Sequence, residues 1–279
     1  MKRSIASAIG MILVALVAAA CADVPQASET STPPSSGASP ASTTTPGPTG
    51  RIRGVVKLTG APPDSRIEAV GQNHDVCGPA VPVNRLQLGS GGGVRQAFIY
   101  LENVPSTSVA QARATLEVGQ RGCVYTPHTL VFPASAALEI VNDDPILHNV
   151  HAREATPQGP RTIFNIAQPM RGQRTRLDKP FARTGVMTLT CEAGHPWMTA
   201  HVLVADHPYV AVSDEEGAFT IENVPAGAYP ITMWHEGVRL TRVVPSLQQY
   251  EYEDPYQTTE QVVVPAGGEA VVTFALQLR

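Results

Sequence analysis

Three side chains that bind soft metals fall within eight consecutive residues. The run Gly185-Val-Met-Thr-Leu-Thr-Cys191-Glu-Ala-Gly-His195-Pro-Trp197-Met198 places an imidazole four residues after a thiol and a thioether three residues beyond that. Thiolate, imidazole and thioether suit copper rather than Ca²⁺ or Mg²⁺. Two imidazoles and one thiolate in a trigonal array, with a weak axial thioether, make an electron-transfer copper site. Such a site needs one more imidazole from a different strand. His148 is the candidate: it follows Asn142-Asp143-Asp144 and precedes Cys191 by 43 residues.

Loops so far apart in sequence share a site only if strands carry them to one pole, and the body of the chain reads as strands. From Arg51 onward no long window has a helical period. Short alternating or β-branched runs occupy 52–58, 94–102, 128–132, 137–142, 186–191, 200–205, 209–213, 218–222, 229–234 and 261–276, separated by Gly, Pro, Asn and Asp. With 23 Gly and 25 Pro in 279 residues, the pattern predicts an all-β chain of sandwich architecture. Residues 105–117 have room for one short helix. Gly89-Ser90-Gly91-Gly92-Gly93 lacks the Lys-Ser/Thr and the strand–loop–helix context of a phosphate loop, and reads as a hairpin or loop.

The two loops resemble those of the cupredoxins, the plastocyanin and amicyanin family. His148-Asn149-Val150 matches the His-Asn-Val segment carrying that family's first ligand, and Cys191, His195 and Met198 match its Cys…His…Met loop. The resemblance covers about residues 115–206 and implies a Greek-key β-sandwich with one type 1 copper ion. It implies His148, Cys191 and His195 as strong equatorial ligands and Met198 as a long axial one. Asn149 would tie the His148 loop to the Cys191 loop by hydrogen bonds. Trp197 would lie beside an exposed edge of His195, where a redox partner would make contact. Cys191 and His195 are one residue further apart than in the amicyanin pattern Cys-x-x-His-Pro-Phe-Met. The same spacing occurs in the binuclear copper domain of cytochrome oxidase, which needs a second Cys four residues before the first. Position 187 is Met, so a mononuclear site is expected.

Cys77 and Cys123 remain. In an oxidising compartment they most simply form a disulfide with each other. The alternative is a second metal site using His128, or His74 with Cys77. His151 and His201 flank the copper loops and read as surface or packing residues, with an accessory site as the other reading. His151-Ala-Arg-Glu154 has the His-x-x-Glu spacing of metallocarboxypeptidases, but the pattern holds no large α/β body for such a peptidase.

Residues 207–279 resemble a second family. Asp214-Glu-Glu-Gly217-Ala-Phe219 and Pro225-Ala-Gly227-Ala-Tyr229 match the Asp-x-x-Gly-x-Phe…Pro-x-Gly-x-Tyr signature of the carboxypeptidase regulatory-like module. That resemblance implies a smaller, non-catalytic, transthyretin-like β-sandwich in which His235 and Glu236 are structural. The Asp-Glu-Glu-Gly segment is a turn between strands. Gly50-Arg-Ile-Arg-Gly54-Val-Val-Lys-Leu looks like the opening strand of the same kind of module. Residues 51–114 are then either a small separate unit or part of the C-terminal sandwich, with the cupredoxin inserted between the flanks. The second arrangement is the one expected.

Residues 1–20 read as an address. Lys2 and Arg3 precede an apolar run over 5–20, short for a spanning helix, which needs ~20 residues, and of signal-peptide form. It ends Ala18-Ala19-Ala20-Cys21, which resembles the lipobox of bacterial lipoproteins and implies a lipidated Cys21. Residues 21–50 follow as a flexible Ser/Thr/Pro linker with no Lys or Arg. The chain is thus expected to be exported and lipid-anchored to the membrane of the cell envelope, facing the periplasm or the cell surface. Lys plus Arg total 20 against 24 acidic residues. No basic excess exists to neutralise phosphates, which excludes nucleic acid as a partner. The expected function is single-electron transfer with a redox partner protein of the envelope. The alternatives are a structural or binding lipoprotein that engages glycans or envelope proteins, and copper delivery. A four-ligand site leaves no open coordination position, so no enzymatic activity is expected.

Overall fold

The computed structural model describes residues 47–104, 114–244 and 249–278. The expected signal peptide, Cys21 and most of the expected linker lie outside the described residues. So does most of the segment expected to hold a short helix, whose last residues, 115–117, open a strand instead. No helix among the described residues is long and apolar enough to cross a membrane.

The structure is all-β. The N-terminal flank holds β1 (Thr49–Thr59), β2 (Arg66–Ala69), the single turn α1 (His74–Cys77), β3 (Ala80–Val83) and β4 (Phe98–Leu101). The middle of the chain holds β5 (Thr115–Arg121), β6 (Val124–Thr126), β7 (Thr129–Pro133), β8 (Ala137–Asn142), β9 (His148–Glu154), β10 (Arg161–Gln168), β11 (Gln173–Asp178), β12 (Gly185–Thr190) and β13 (Thr199–Ala205). The C-terminal flank holds β14 (Val210–Val212), β15 (Ala218–Pro225), β16 (Gly227–His235), β17 (Leu240–Val244), β18 (Gln249–Tyr252), β19 (Tyr256–Val264) and β20 (Glu269–Gln277).

Both flanks build one sandwich. β1 alternates, with Ile52 and Val56 buried and Arg51, Arg53 and Lys57 facing water, as a strand with one wet face requires. It pairs antiparallel with β15 and parallel with β20, in the order β15-β1-β20. The partner sheet runs β14-β4-β16-β19. Ile52, Ile99, Ile231 and Phe274 belong to the core that the two sheets enclose. The middle of the chain forms another pair of sheets, β10-β9-β12-β13-β7 and β11-β8-β5-β6. Its core includes Phe132, Leu138, Ile140, Val150, Met187 and Leu189.

β13 joins the two sandwiches. Its period of two puts Ala200, Val202 and Val204 into the core of the middle sandwich. Leu203, on the other face, packs with Phe98 and Trp234 of the flanking one. Burial on both faces explains why 200–205 is an almost continuous apolar run.

Two expected strands are shorter than the apolar pattern. The run 94–102 is strand only over Phe98–Leu101, because the backbone turns at Gln96, where φ is 63°. The run 261–276 is two strands, since Gly268 N donates to Pro265 O at 3.1 Å and closes a turn between them. Residues 89–93 form a tight turn, with Gly89 N donating to Gly93 O at 2.8 Å.

Gly54 has no room for a side chain. A Cβ there would stand 2.2 Å from Val272 O and 2.4 Å from the Phe219 ring. Gly54→Ala is expected to destabilise the chain by about 1–3 kcal/mol, the usual cost of overpacking, in denaturant unfolding. A change below about 0.5 kcal/mol, the range of ordinary surface substitutions, would contradict this packing.

Candidate metal centre

The loop before β9 is built by Asn142. Its Nδ2 donates to Ile146 O and Gln168 O, both at 2.8 Å, and its Oδ1 accepts from Asp144 N at 2.9 Å. That fixed turn delivers His148 as the first residue of β9. The second loop runs from the end of β12 to the start of β13. It is closed by Met198 N donating to His195 O (2.9 Å) and Cys191 N donating to Met198 O (3.2 Å). Between Cys191 and His195 the backbone turns at Gly194, whose φ is 87°. A glycine adopts that conformation freely.

These loops meet. His148 Nδ1 and His195 Nδ1 lie 3.2 Å apart, and Cys191 Sγ lies 3.9 Å from the first and 3.7 Å from the second. Metal bonds of about 2.0–2.1 Å to nitrogen and 2.3 Å to sulfur, spread in a plane, set such ligand atoms roughly 3.5–3.8 Å apart. The triangle therefore has the size that a thiolate–diimidazole metal site requires. All three residues are buried, and so is Met198, whose backbone closes the loop.

The ring of His148 is held in the form a metal needs. Its Nε2 donates to Asp144 Oδ2 at 2.9 Å. A carboxylate only accepts, so the proton is on Nε2 and the Nδ1 lone pair faces Cys191 and His195. Asp144 is itself fixed by Gly122 N (2.8 Å) and Cys123 N (2.9 Å). Burial pushes its carboxyl up, but those amides and His148 outweigh it and hold it below its ordinary value. Burial pushes His148 down against the pull of Asp144. Burial, then the neighbouring His148, push His195 down to about 4. Both shifts favour the neutral imidazole, the form that ligation requires. Burial raises the Cys191 thiol, against the amides of Asn149 and Ala193.

Asn149 ties the loops together: its Oδ1 accepts from Glu192 N at 2.6 Å. Trp197 lies beside His195, with ring centroids 5.6 Å apart, but the exposed imidazole edge expected there is absent. His195 has no exposed surface, and Trp197 is buried with its Nε1 donating to Cys123 O at 2.9 Å. The cause is the segment before α1. Asn73 Nδ2 stands 3.3 Å from His195 Nε2, and Gln72 Nε2 donates to Ala193 O at 3.0 Å. A disulfide between Cys77 and Cys123, spanning 46 residues with a Cα–Cα distance of 5.2 Å, holds that segment over the site. Cys77 and Cys123 are therefore not metal ligands. His74 instead contacts Val70 O through Nε2, at 2.6 Å.

Sequence reasoning missed Asp144 and Asn73. Asp144 carried a signal, an acid four residues before a candidate ligand; Asn73 carried none. His151 lies on β9 with Nδ1 2.9 Å from Glu192 Oε1 and Nε2 2.7 Å from Thr162 Oγ1, while Glu154 pairs with Arg161. The His-x-x-Glu spacing gathers no shared site.

His128 and His201 converge on Glu236, which also pairs with Arg85. Burial pushes the Glu236 carboxyl up, but Arg85, then His201 and His128, hold it well below the carboxylate range. Burial pushes His201 down to about 4 against the pull of Glu236. In the unfolded chain this imidazole titrates near 6.5. The fold therefore gains stability from neutral His201 above pH 6.5 and loses it as pH falls towards 4. Between pH 7.5 and 5, thermal unfolding of His201→Asn is expected to lose about 2 kcal/mol less stability than the wild type, the remaining slope belonging to the other depressed imidazoles, His195 among them. An unchanged pH slope in that variant would contradict the assignment.

No protein-family model and no curated protein matches the chain. Solved structures are similar over about a third of it. A purple cupredoxin from Nitrosopumilus maritimus is 23% identical over 33% of this chain and 99% of its own, with a TM-score of 0.27. A reduced mutant of amicyanin is 18% identical over 38% of this chain and 98% of its own, with a TM-score of 0.28. A copper-containing nitrite reductase from Thermus scotoductus SA-01 is 20% identical over 33% of this chain, with a TM-score of 0.27; the match spans 23% of that enzyme's length.

Proposed function

We propose that this chain is a cupredoxin-like electron carrier holding one type 1 copper ion on His148, Cys191, His195 and Met198. The observation that carries the reading is the buried triangle of one sulfur and two Nδ1 atoms, with edges of 3.2, 3.7 and 3.9 Å. Copper bound there would supply one-electron chemistry by cycling between Cu(II) and Cu(I). The residues do the rest. Asp144 keeps the proton of His148 on Nε2 and leaves Nδ1 free. Asn73, as placed, donates to His195 Nε2, so His195 Nδ1–H faces His148 Nδ1 in the metal-free chain. A metal held on His195 Nδ1 would require that proton on Nε2, where Asn73 could accept from it through its amide oxygen. Cys191 would hold the metal as a thiolate.

Two supports favour electron transfer over copper delivery. A carrier that hands on metal needs an exchangeable site, whereas His195 lies fully buried beneath Asn73 and the disulfide. That cover is thin, since Asn73 itself is half-buried, so a redox partner docked there is one side chain from the imidazole. The lipobox-like Ala18-Ala19-Ala20-Cys21 and the linker to residue 50 favour a lipid-tethered protein that swings between donor and acceptor in the envelope. The flanking sandwich is then the non-catalytic regulatory-like module. Titration with a reversible redox dye is expected to take up one electron per copper and to retain the metal through repeated cycles. Release of the metal on reduction would favour delivery instead.

A further inference from the structure

We propose that the flanking sandwich positions the axial end of the metal loop through Glu236. This rests on the copper reading above. Thr199, the residue after Met198, is gripped twice. His128 Nδ1 donates to its carbonyl at 3.1 Å, and Arg85 Nη1 donates to its Oγ1 at 3.1 Å. Both side chains end on the carboxylate of Glu236, just beyond β16. His201, two residues along β13 from Thr199, reaches the same carboxylate through Nε2 at 3.0 Å. Arg85 is fixed in turn. Its Nε donates to Gly237 O at 2.7 Å, and its guanidinium stacks 3.8 Å from the centroid of the Tyr252 ring.

A buried charge is a costly way to join two sandwiches, and the joint already has an apolar contact in Phe98, Leu203 and Trp234. The charged network adds direction. Hydrogen bonds fix both the carbonyl and the hydroxyl of Thr199. One residue earlier, the Met198 carbonyl accepts from Cys191 N and the Met198 amide donates to His195 O. Displacing Thr199 therefore moves the backbone that holds three of the four ligands. Glu236, Arg85 and His128 are positioning residues: none lies in the ligand triangle, and each acts through Thr199.

The test uses the copper-loaded full chain, with Cu(I) release to a colorimetric chelator and the visible spectrum as readouts. Glu236→Gln is expected to speed release about tenfold, the lower end of the usual effect of groups that orient metal ligands, and to change the ratio of the thiolate-to-copper bands. Thr199→Val, which keeps shape and removes only the Arg85 link, should move both readouts the same way by a smaller factor and needs no ionic cluster to be rebuilt. Val212→Ala, which trims a side chain packed against Phe98, Leu203 and Trp234 without touching Thr199, should leave both unchanged. Wild-type release and spectra in Glu236→Gln and Thr199→Val would overturn the inference while leaving the copper site standing. A wild-type chain with no thiolate-to-copper band would overturn the copper reading, and this inference with it.

Discussion

Asp144→Asn is expected to weaken Cu(II) binding by about 10–100-fold, the usual cost of losing a partner that orients a metal-bound histidine. Two consequences of the structure add together. First, the carboxylate is what places the His148 proton on Nε2, 2.9 Å away. An amide at this position turns either its oxygen or its NH₂ to the ring, so the ligand tautomer is no longer dictated. Second, Asp144 brings a negative charge into a buried site, held there by Gly122 N and Cys123 N. A fixed anion favours Cu(II) over Cu(I). Its removal should raise the reduction potential by about 60 mV for each tenfold of selective Cu(II) destabilisation. Paired Cu(II) and Cu(I) affinity titrations with voltammetry check this. Equal loss of both oxidation states, with an unmoved potential, would show that Asp144 matters only for the fold of its loop.

Opening the disulfide is expected to have the second large effect. Cys77 and Cys123 close a loop with a sequence separation of 46, for which the chain-entropy relation gives about 4 kcal/mol of stabilisation. Cys77→Ser/Cys123→Ser should lose that amount in denaturant unfolding. It should also free the segment that lays Asn73 on His195 and Gln72 on Ala193. Copper exchange with a chelator should then accelerate at least tenfold, because the His195 imidazole edge beneath Asn73 becomes accessible. Unaltered exchange in the variant would mean that metal reaches the site by another path.

The metal loops were legible because their information is local. Cys191, His195 and Met198 sit within one turn of chain, and alternating runs on either side announce the strands that carry them. His148 needed only the inference that strands bring distant loops to one pole. The cover was not legible. Asn73 lies 122 residues from His195, just before a single helical turn in a segment without hydrophobic period. Its placement follows from the disulfide and from no pattern of its own. The same holds for Glu236. Read alone it is an acid after an aromatic strand, and its partners Arg85, His128 and His201 come from three separate parts of the chain. The arrangement of the flanks was legible in outline, because Gly50–Leu58 looks like the opening strand of the C-terminal module, but its strand pairing was not. β1 carries a clear alternation, but its parallel pairing with β20, across some two hundred residues, is set by which apolar faces close over one core.

One copper ion held by His148, Cys191 and His195 through a thiolate bond has a distinctive spectrum. It would be read from the visible absorption and electron paramagnetic resonance of the purified chain with one equivalent of Cu(II), beside Cys191→Ala. An intense blue thiolate-to-copper band and a narrow copper hyperfine splitting are expected, both lost in the variant. A chain that stays colourless and takes up no stoichiometric copper, or one whose copper spectrum is the same in Cys191→Ala, would contradict this assignment.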